Sequence, residues 1–172
     1  MTGDELRARQ APLKARYKDD AKAAQTVLKA RATLGPDVTA VVETFVAPEG
    51  KTIAGLHPAT GGASTTACSG DMLLQALVAC AGVTLGAVST SMGLDVRAGV
   101  VLAEGDLDWR GTLGVSKETP VGFSAIRLRF ELDTDATDEQ LAKLVQLTER
   151  YCVIAQTIRV AVPVTSTGAR QS

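Results

Sequence analysis

Three cysteines, Cys68, Cys80 and Cys152, and one histidine, His57, are the residues of this 172-residue chain that could carry covalent or acid–base chemistry. A thiol attacks only as its thiolate, and with an ordinary pKa of about 8.5 it is mostly protonated at neutral pH. A reactive cysteine therefore needs a positive charge or hydrogen-bond donors close by, most of all if it is buried. Each cysteine could equally be a small buried hydrophobe. A lone histidine and three dispersed cysteines make no zinc pattern, so no metal is expected. The glycine-bearing stretch ATGGAS lacks the lysine of a phosphate-binding loop.

The elements that must position these residues are legible in outline. Cys68 and Cys80 lie in CSGDMLLQALVACAGVTLGAVSTSMG, residues 68–93, where no charge follows Asp71 until Asp95. Such a run is long enough to cross a bilayer. Gln75, Ser89, Thr90, Ser91 and the glycines dilute it, and no aromatic belt or basic cluster flanks it. It reads as a soluble helix, Asp71–Met92, about 33 Å long. Leu73, Leu77, Cys80 and Thr84 share one side, while Leu74, Val78, Ala81, Leu85 and Val88 cover much of the rest. A helix apolar nearly all round must be buried nearly all round. One domain of this size offers little protein to surround it, so a second copy is expected against it, with Gly82 and Gly86 permitting close approach. A single curved sheet wrapped around the helix is the other solution.

Cys152 follows a second helix. Thr137 and Gln140 make a capping-box pattern, and Asp138 and Glu139 suit the helix dipole. Leu141, Leu144, Val145 and Thr148 form a stripe to which Cys152 returns if the helix runs that far, with Pro163 closing it off. In AIRLRFELD, Ile126, Leu128, Phe130 and Leu132 alternate with charged residues, which predicts a strand covered on one face. Further strands are expected at Thr26–Leu34 and Val38–Val46, a hairpin around GPD, and at Thr52–Leu56. Two more are expected at Val96–Leu102 and Gly105–Trp109, with a break near Ala103–Glu104. HPATGGASTTA is a loop by composition. Residues 1–25 read as an N-terminal helical extension and 26–172 as a single domain of the α+β class.

The net charge of −1 and an aromatic content of 3% argue against a nucleic-acid surface. The charged N-terminus has no apolar signal core, and the odd cysteine count does not suit a secreted disulfide scaffold, so a cytoplasmic location is expected.

Taken together, HPATGG, ACSGDMLLQALVACAGVTL, GTLGV, PVGF, IRLRFELDTDA and TERYC resemble the OsmC/Ohr family of organic hydroperoxide reductases, in its OsmC-like branch. The resemblance runs from about Thr26 to Val164. It implies an intertwined homodimer in which curved antiparallel sheets wrap a pair of long central helices. It also implies cofactor-free thiol peroxidase chemistry on organic hydroperoxides, with a dithiol such as a lipoyl group as reductant and no membrane or nucleic-acid partner. By position, the peroxide-attacking cysteine falls on Cys80 and the resolving one on Cys152, while Cys68 has no catalytic counterpart. The family's arginine falls best on Arg31. Its glutamate falls on Gly70, leaving the adjacent Asp71 as helper or helix cap, and Val153 stands where a proline often follows the second cysteine. His57 is a candidate for lining the pocket.

Overall fold

In the computed structural model of the chain, the described residues are 2–5, 8, 10–11, 31–35, 39–43, 51–62, 65–114, 116–168 and 170, with 31–35 and 39–43 described as backbone only. Four strands form the first sheet, in the order β1 (Arg31–Gly35), β2 (Thr39–Glu43), β3 (Lys51–Gly55) and β4 (Ala67–Cys68). The first three run antiparallel, and β4 joins β3 in parallel. β4 leads directly into the long helix α1 (Ser69–Met92). A two-stranded antiparallel sheet follows, β5 (Val96–Asp106) and β6 (Ala125–Thr134), with the short helix α2 (Trp109–Thr112) between its strands. The chain then folds into α3 (Asp138–Tyr151) and α4 (Val153–Val160).

The fold class is α+β, as expected, and several elements form for the reasons visible in sequence. Thr137 Oγ1 accepts from Gln140 N–H, and the Gln140 side chain accepts from Thr137 N–H, closing the capping box of α3. Gly93 stops α1 in the left-handed conformation, φ 69°, its N–H turned back onto the last carbonyls. Along β6 the burial alternates residue by residue. Its outward charges pair with those of β5, Asp133 with Arg97 and Arg127 with Asp106, and Asp135 just past the strand end joins Arg97. These exposed pairs keep the outer face wet and add little stability.

The inner face is where the site is built. Leu77, Ala81 and Leu85, one turn apart on α1, are buried. Val101 and Ala103 of β5 and Ile126, Leu128 and Phe130 of β6 pack against the cluster that Leu77 and Ala81 form with Cys152 and Ala155. Leu144 and Thr148 of α3, fully buried, continue through Cys152 as a stripe of i, i+4 positions.

Several boundaries differ from expectation. β5 is unbroken across Ala103–Glu104, because β6 pairs with it along its whole length; the irregularity falls at Val96–Ala98 instead. Trp109 begins a helical turn, with Asp108 as its cap, and so is not the end of a strand. α3 does not run through Cys152: it ends there and α4 starts afresh, stopping at Ala161, φ 48°, before Pro163 is reached. The first hairpin is present as β1 and β2, while residues 26–30 and 44–46 lie outside the described residues. Residues 3–5, 8, 10 and 11 are helical, and 12–25 of the expected extension also lie outside them.

Much of α1 remains open. An 18-residue window of it is apolar enough to span a membrane and only 28% of that window is buried. Val83 is 77% exposed. The two glycines divide their roles: a side chain at Gly82 would touch Val101, while Gly86 faces open space.

Candidate active site

Cys80 lies midway along α1, half-buried, and Cys152 is fully buried at the junction of α3 and α4. The junction explains the geometry. Cys152 N–H donates to the Thr148 carbonyl at 2.9 Å, closing α3, and the Cys152 carbonyl accepts from Gln156 N–H at 3.0 Å, opening α4. With ψ 108° the residue is extended, so one position serves both helices as cap. The bend is held from both sides. Gln156 Nε2 donates to the Glu149 carbonyl, 2.8 Å, satisfying a group that every helix C-terminus leaves open. Arg159 of α4 also pairs with Glu149 of α3 at 3.1 Å.

A helix that starts afresh exposes its first N–H groups, and here they meet a sulfur. Burial alone would push the Cys80 thiol up. Hydrogen bonding from Ile154 N–H, from the Cys152 thiol, from Thr84 Oγ1 and from Val153 N–H outweighs it and holds Cys80 below the ordinary thiol value. Cys152 moves the other way: burial pushes it up, and the Cys80 sulfur, as hydrogen-bond partner and as negative charge, adds to this against the Ala155 and Ile154 N–H groups. The pair is therefore divided into a sulfur that loses its proton more readily than an ordinary thiol and a neighbour that loses it less readily. The N-terminal end of α4 contributes its partial positive charge to the same sulfur.

Two cavities are lined by residues near the two cysteines in the chain or in the core, though by neither cysteine itself. One of about 670 Å³ is walled by Val83, Thr84, Ala87, Val88, Leu147 and Tyr151. A smaller one, about 130 Å³, is lined by Leu77, Ile126, Leu128, Ala155 and Ile158, with Glu149 and Arg159 at its edge. Both are mainly apolar.

Of the candidates named from sequence, the structure brings together Cys80 and Cys152. Asp71 lies nine residues before Cys80 on the same helix, about 13 Å along its axis, and is exposed. It occupies the first turn of α1, whose N-cap, Cys68, makes no side-chain cap. Arg31 opens β1 opposite Glu43; its side chain lies outside the described residues. His57 accepts the Ala59 N–H at Nδ1, 3.1 Å, and its ring stacks on Trp109 with centroids 4.6 Å apart. In the sequence Thr84 stands only as a neighbour of Cys80 on one helix side and Val153 only as a departure from the family's proline, and Ile154 has no role there. Thr84 had a signal, one helical turn after Cys80; the two N–H donors had none, because nothing local announces a helix start after Cys152.

Among the described residues no group of His, Cys, Asp and Glu is placed to hold a metal. The protein-family model for OsmC-like proteins matches residues 61–167, which include both thiols and every element from β4 to α4. The chain belongs to the OsmC-like family. Solved OsmC-like structures share its fold. An OsmC-like protein from Mycoplasma pneumoniae superposes with a TM-score of 0.64 at 14% identity, covering 79% of this chain and 89% of its own. The organic hydroperoxide resistance protein OsmC from Legionella pneumophila, also described as a predicted redox protein and regulator of sulfide bond formation, gives 0.62 at 16% identity over 79% and 93%. An organic hydroperoxide resistance protein from Elizabethkingia anophelis, with thiocyanate bound, gives 0.59 at 16% over 79% and 91%. At these identities the likeness is one of fold. No curated protein matches the sequence. Within the OsmC-like fold, the thiol pair sits where the central helix meets the α3–α4 bend.

Proposed function

We propose that this OsmC-like protein is a cysteine-based thiol peroxidase that reduces organic hydroperoxides. The observation that carries this is the contact of Cys80 with Cys152, in which donors at the start of α4 outweigh burial at Cys80 but not at Cys152. In the first step the Cys80 thiolate attacks one oxygen of the peroxide. The O–O bond breaks, Cys80 becomes a sulfenic acid, and the other oxygen leaves as alkoxide and takes up a proton to form the alcohol. Cys152 then displaces the sulfenic oxygen as water and forms a disulfide. A dithiol such as a lipoyl group reduces that disulfide and leaves as its own cyclic disulfide. The apolar cavity beside Thr84 supports an organic hydroperoxide over hydrogen peroxide as substrate. Arg31 is the candidate cation and Asp71 a helper at the far end of α1. One equivalent of cumene hydroperoxide should yield a Cys80–Cys152 disulfide in peptide mass spectra; two cysteines left as free thiols would refute the assignment.

The working unit is a cytoplasmic homodimer. Val83 and its neighbours leave an apolar helix face that needs covering, and a second copy of α1 fits it without burying charge, since no Asp, Glu, Lys or Arg lies between Asp71 and Asp95. Sedimentation should give about twice the 17.9 kDa of one chain, and Val83→Asp should shift it toward one. A wild-type monomer that stays soluble would count against this assembly.

A further inference from the structure

α3 carries a hydroxyl that is buried and, among the described residues, without a hydrogen-bond partner: Oγ1 of Thr148, a residue 0% exposed. A threonine in a helix ordinarily turns its hydroxyl to the carbonyl one turn back, and this one does not. Valine would fill the same volume without stranding a polar atom, so the hydroxyl costs stability and calls for an explanation.

Its position supplies one. Thr148 lies one helical turn before Cys152, and side chains on a helix lean toward its N-terminus, so the Cys152 side chain lies over the turn that carries Thr148. Leu147 and Tyr151 share a cavity wall with Val83, Thr84, Ala87 and Val88, which sets α1 and α3 side by side along this stretch. Each cysteine thus has a threonine four positions away, Thr84 after Cys80 on α1 and Thr148 before Cys152, the residue that caps α3. Thr84 already serves Cys80 as a donor. Thr148 has no such role in the reduced protein, where Cys152 keeps its proton and gives it to the Cys80 sulfur.

That changes in the second half of the cycle, and here the inference rests on the peroxidase function proposed above. Once Cys80 carries the sulfenic oxygen, its sulfur is no longer an anion that takes the Cys152 proton. Cys152 must then lose that proton and attack. Its electron pair forms the S–S bond, the Cys80 S–O bond breaks, and hydroxide departs with the released proton as water. Cys152 is oxidised and Cys80 reduced from sulfenic acid to disulfide. We propose that the Thr148 hydroxyl is the donor that hydrogen-bonds Cys152 Sγ during this attack, a contact held in reserve in the reduced state.

The test compares Thr148→Val and Thr148→Ser with the wild type in the full-length protein. One equivalent of cumene hydroperoxide is added by rapid mixing, quenched at intervals with dimedone, and analysed by peptide mass spectrometry. Thr148→Val should consume the first equivalent at the wild-type rate and fold at least as stably. It should form the disulfide about tenfold more slowly, with a matching build-up of the Cys80–dimedone adduct. Thr148→Ser should restore resolution. If Thr148→Val resolves as fast as the wild type, or Thr148→Ser is as slow as valine, the inference is overturned while the peroxidase function stands. A wild type that gives neither adduct nor disulfide overturns both. Should valine lower Tm, Thr148→Ala against Thr148→Ser makes the same comparison.

Discussion

Cys80→Ser should abolish hydroperoxide consumption, by about a thousandfold or more, while leaving the fold intact. A serine hydroxyl stays protonated across the accessible pH range, so the donors gathered at position 80 would have no anion to stabilise. Nor could oxygen accept the peroxide oxygen and form a sulfenic acid. Neither remaining cysteine can substitute. Cys152 is fully buried and held on the protonated side by that burial and by its neighbour, and Cys68 sits half-buried at the start of α1, about 18 Å of helix rise from Cys80. Three variants separate the roles in a coupled or direct peroxide assay. Cys80→Ser loses every turnover. Cys152→Ser keeps the first equivalent, then stalls with Cys80 as a sulfenic acid that proceeds to sulfinic acid on excess peroxide. Cys68→Ser behaves as the wild type. If Cys80→Ser retained the wild-type rate, the nucleophile would lie elsewhere.

How far the sequence anticipates this site follows from which interactions are local. α1, the alternation of β6 and the capping box at Thr137 are set by periodicity and by side chains three or four residues apart, and they appear where the pattern puts them. The two cysteines could be named only through resemblance to a family, because 72 positions separate them and no local pattern ties a helix-borne thiol to a distant one. Most of what activates Cys80 is not legible in the sequence. Asp71 is the one charge on its helix, and the structure leaves it exposed more than two turns away. Two of the four donors, the strongest among them, are backbone groups, whose identity no side chain encodes. They become available because the chain bends at Cys152, and YCVIAQ contains neither glycine nor proline to announce a bend. The bend is set by tertiary packing: Cys152 inserts against Leu77 and Ala81, Gln156 reaches back to the Glu149 carbonyl, and Arg159 closes the span. β5 errs in the opposite sense, since the weak strand formers Ala103–Glu104–Gly105 are overridden by continuous pairing with β6.

If backbone donors set the reactivity of Cys80, deleting one of them should raise its pKa without touching a side chain. Exchanging Ile154 for its α-hydroxy acid analogue replaces one N–H by an ester oxygen and leaves the isoleucine side chain in place. That N–H lies in the first turn of α4, whose first internal helix bond is Gln156 N–H to the Cys152 carbonyl, so no helical bond is lost with it. Hydrogen bonding from Ile154 is the largest of the influences that lower Cys80, and its loss leaves burial less opposed. The expected result is an upward shift in the midpoint of Cys80 alkylation by iodoacetamide, and a correspondingly slower reaction at neutral pH. Val153→Pro is the comparison. Cys152 is already extended, as a residue before proline prefers, proline suits the first helical position, and the Val153 N–H is the weakest of the four donors. That variant should fold normally and shift the midpoint much less. Linkage to folding gives a second readout with opposite signs for the two thiols. The depressed pKa of Cys80 contributes stability that is fully present above the unfolded thiol value of about 8.5 and is lost as pH falls through the folded value. The raised pKa of Cys152 contributes stability present below about 8.5 and lost as pH rises through its folded value. Removing the Ile154 donor should therefore narrow the gain in stability between neutral and mildly alkaline pH, measured by urea titration in Cys152→Ser, where only Cys80 of the pair still titrates. An ester variant whose alkylation midpoint matched the wild type would show that Cys80 owes its reactivity to some group other than the start of α4.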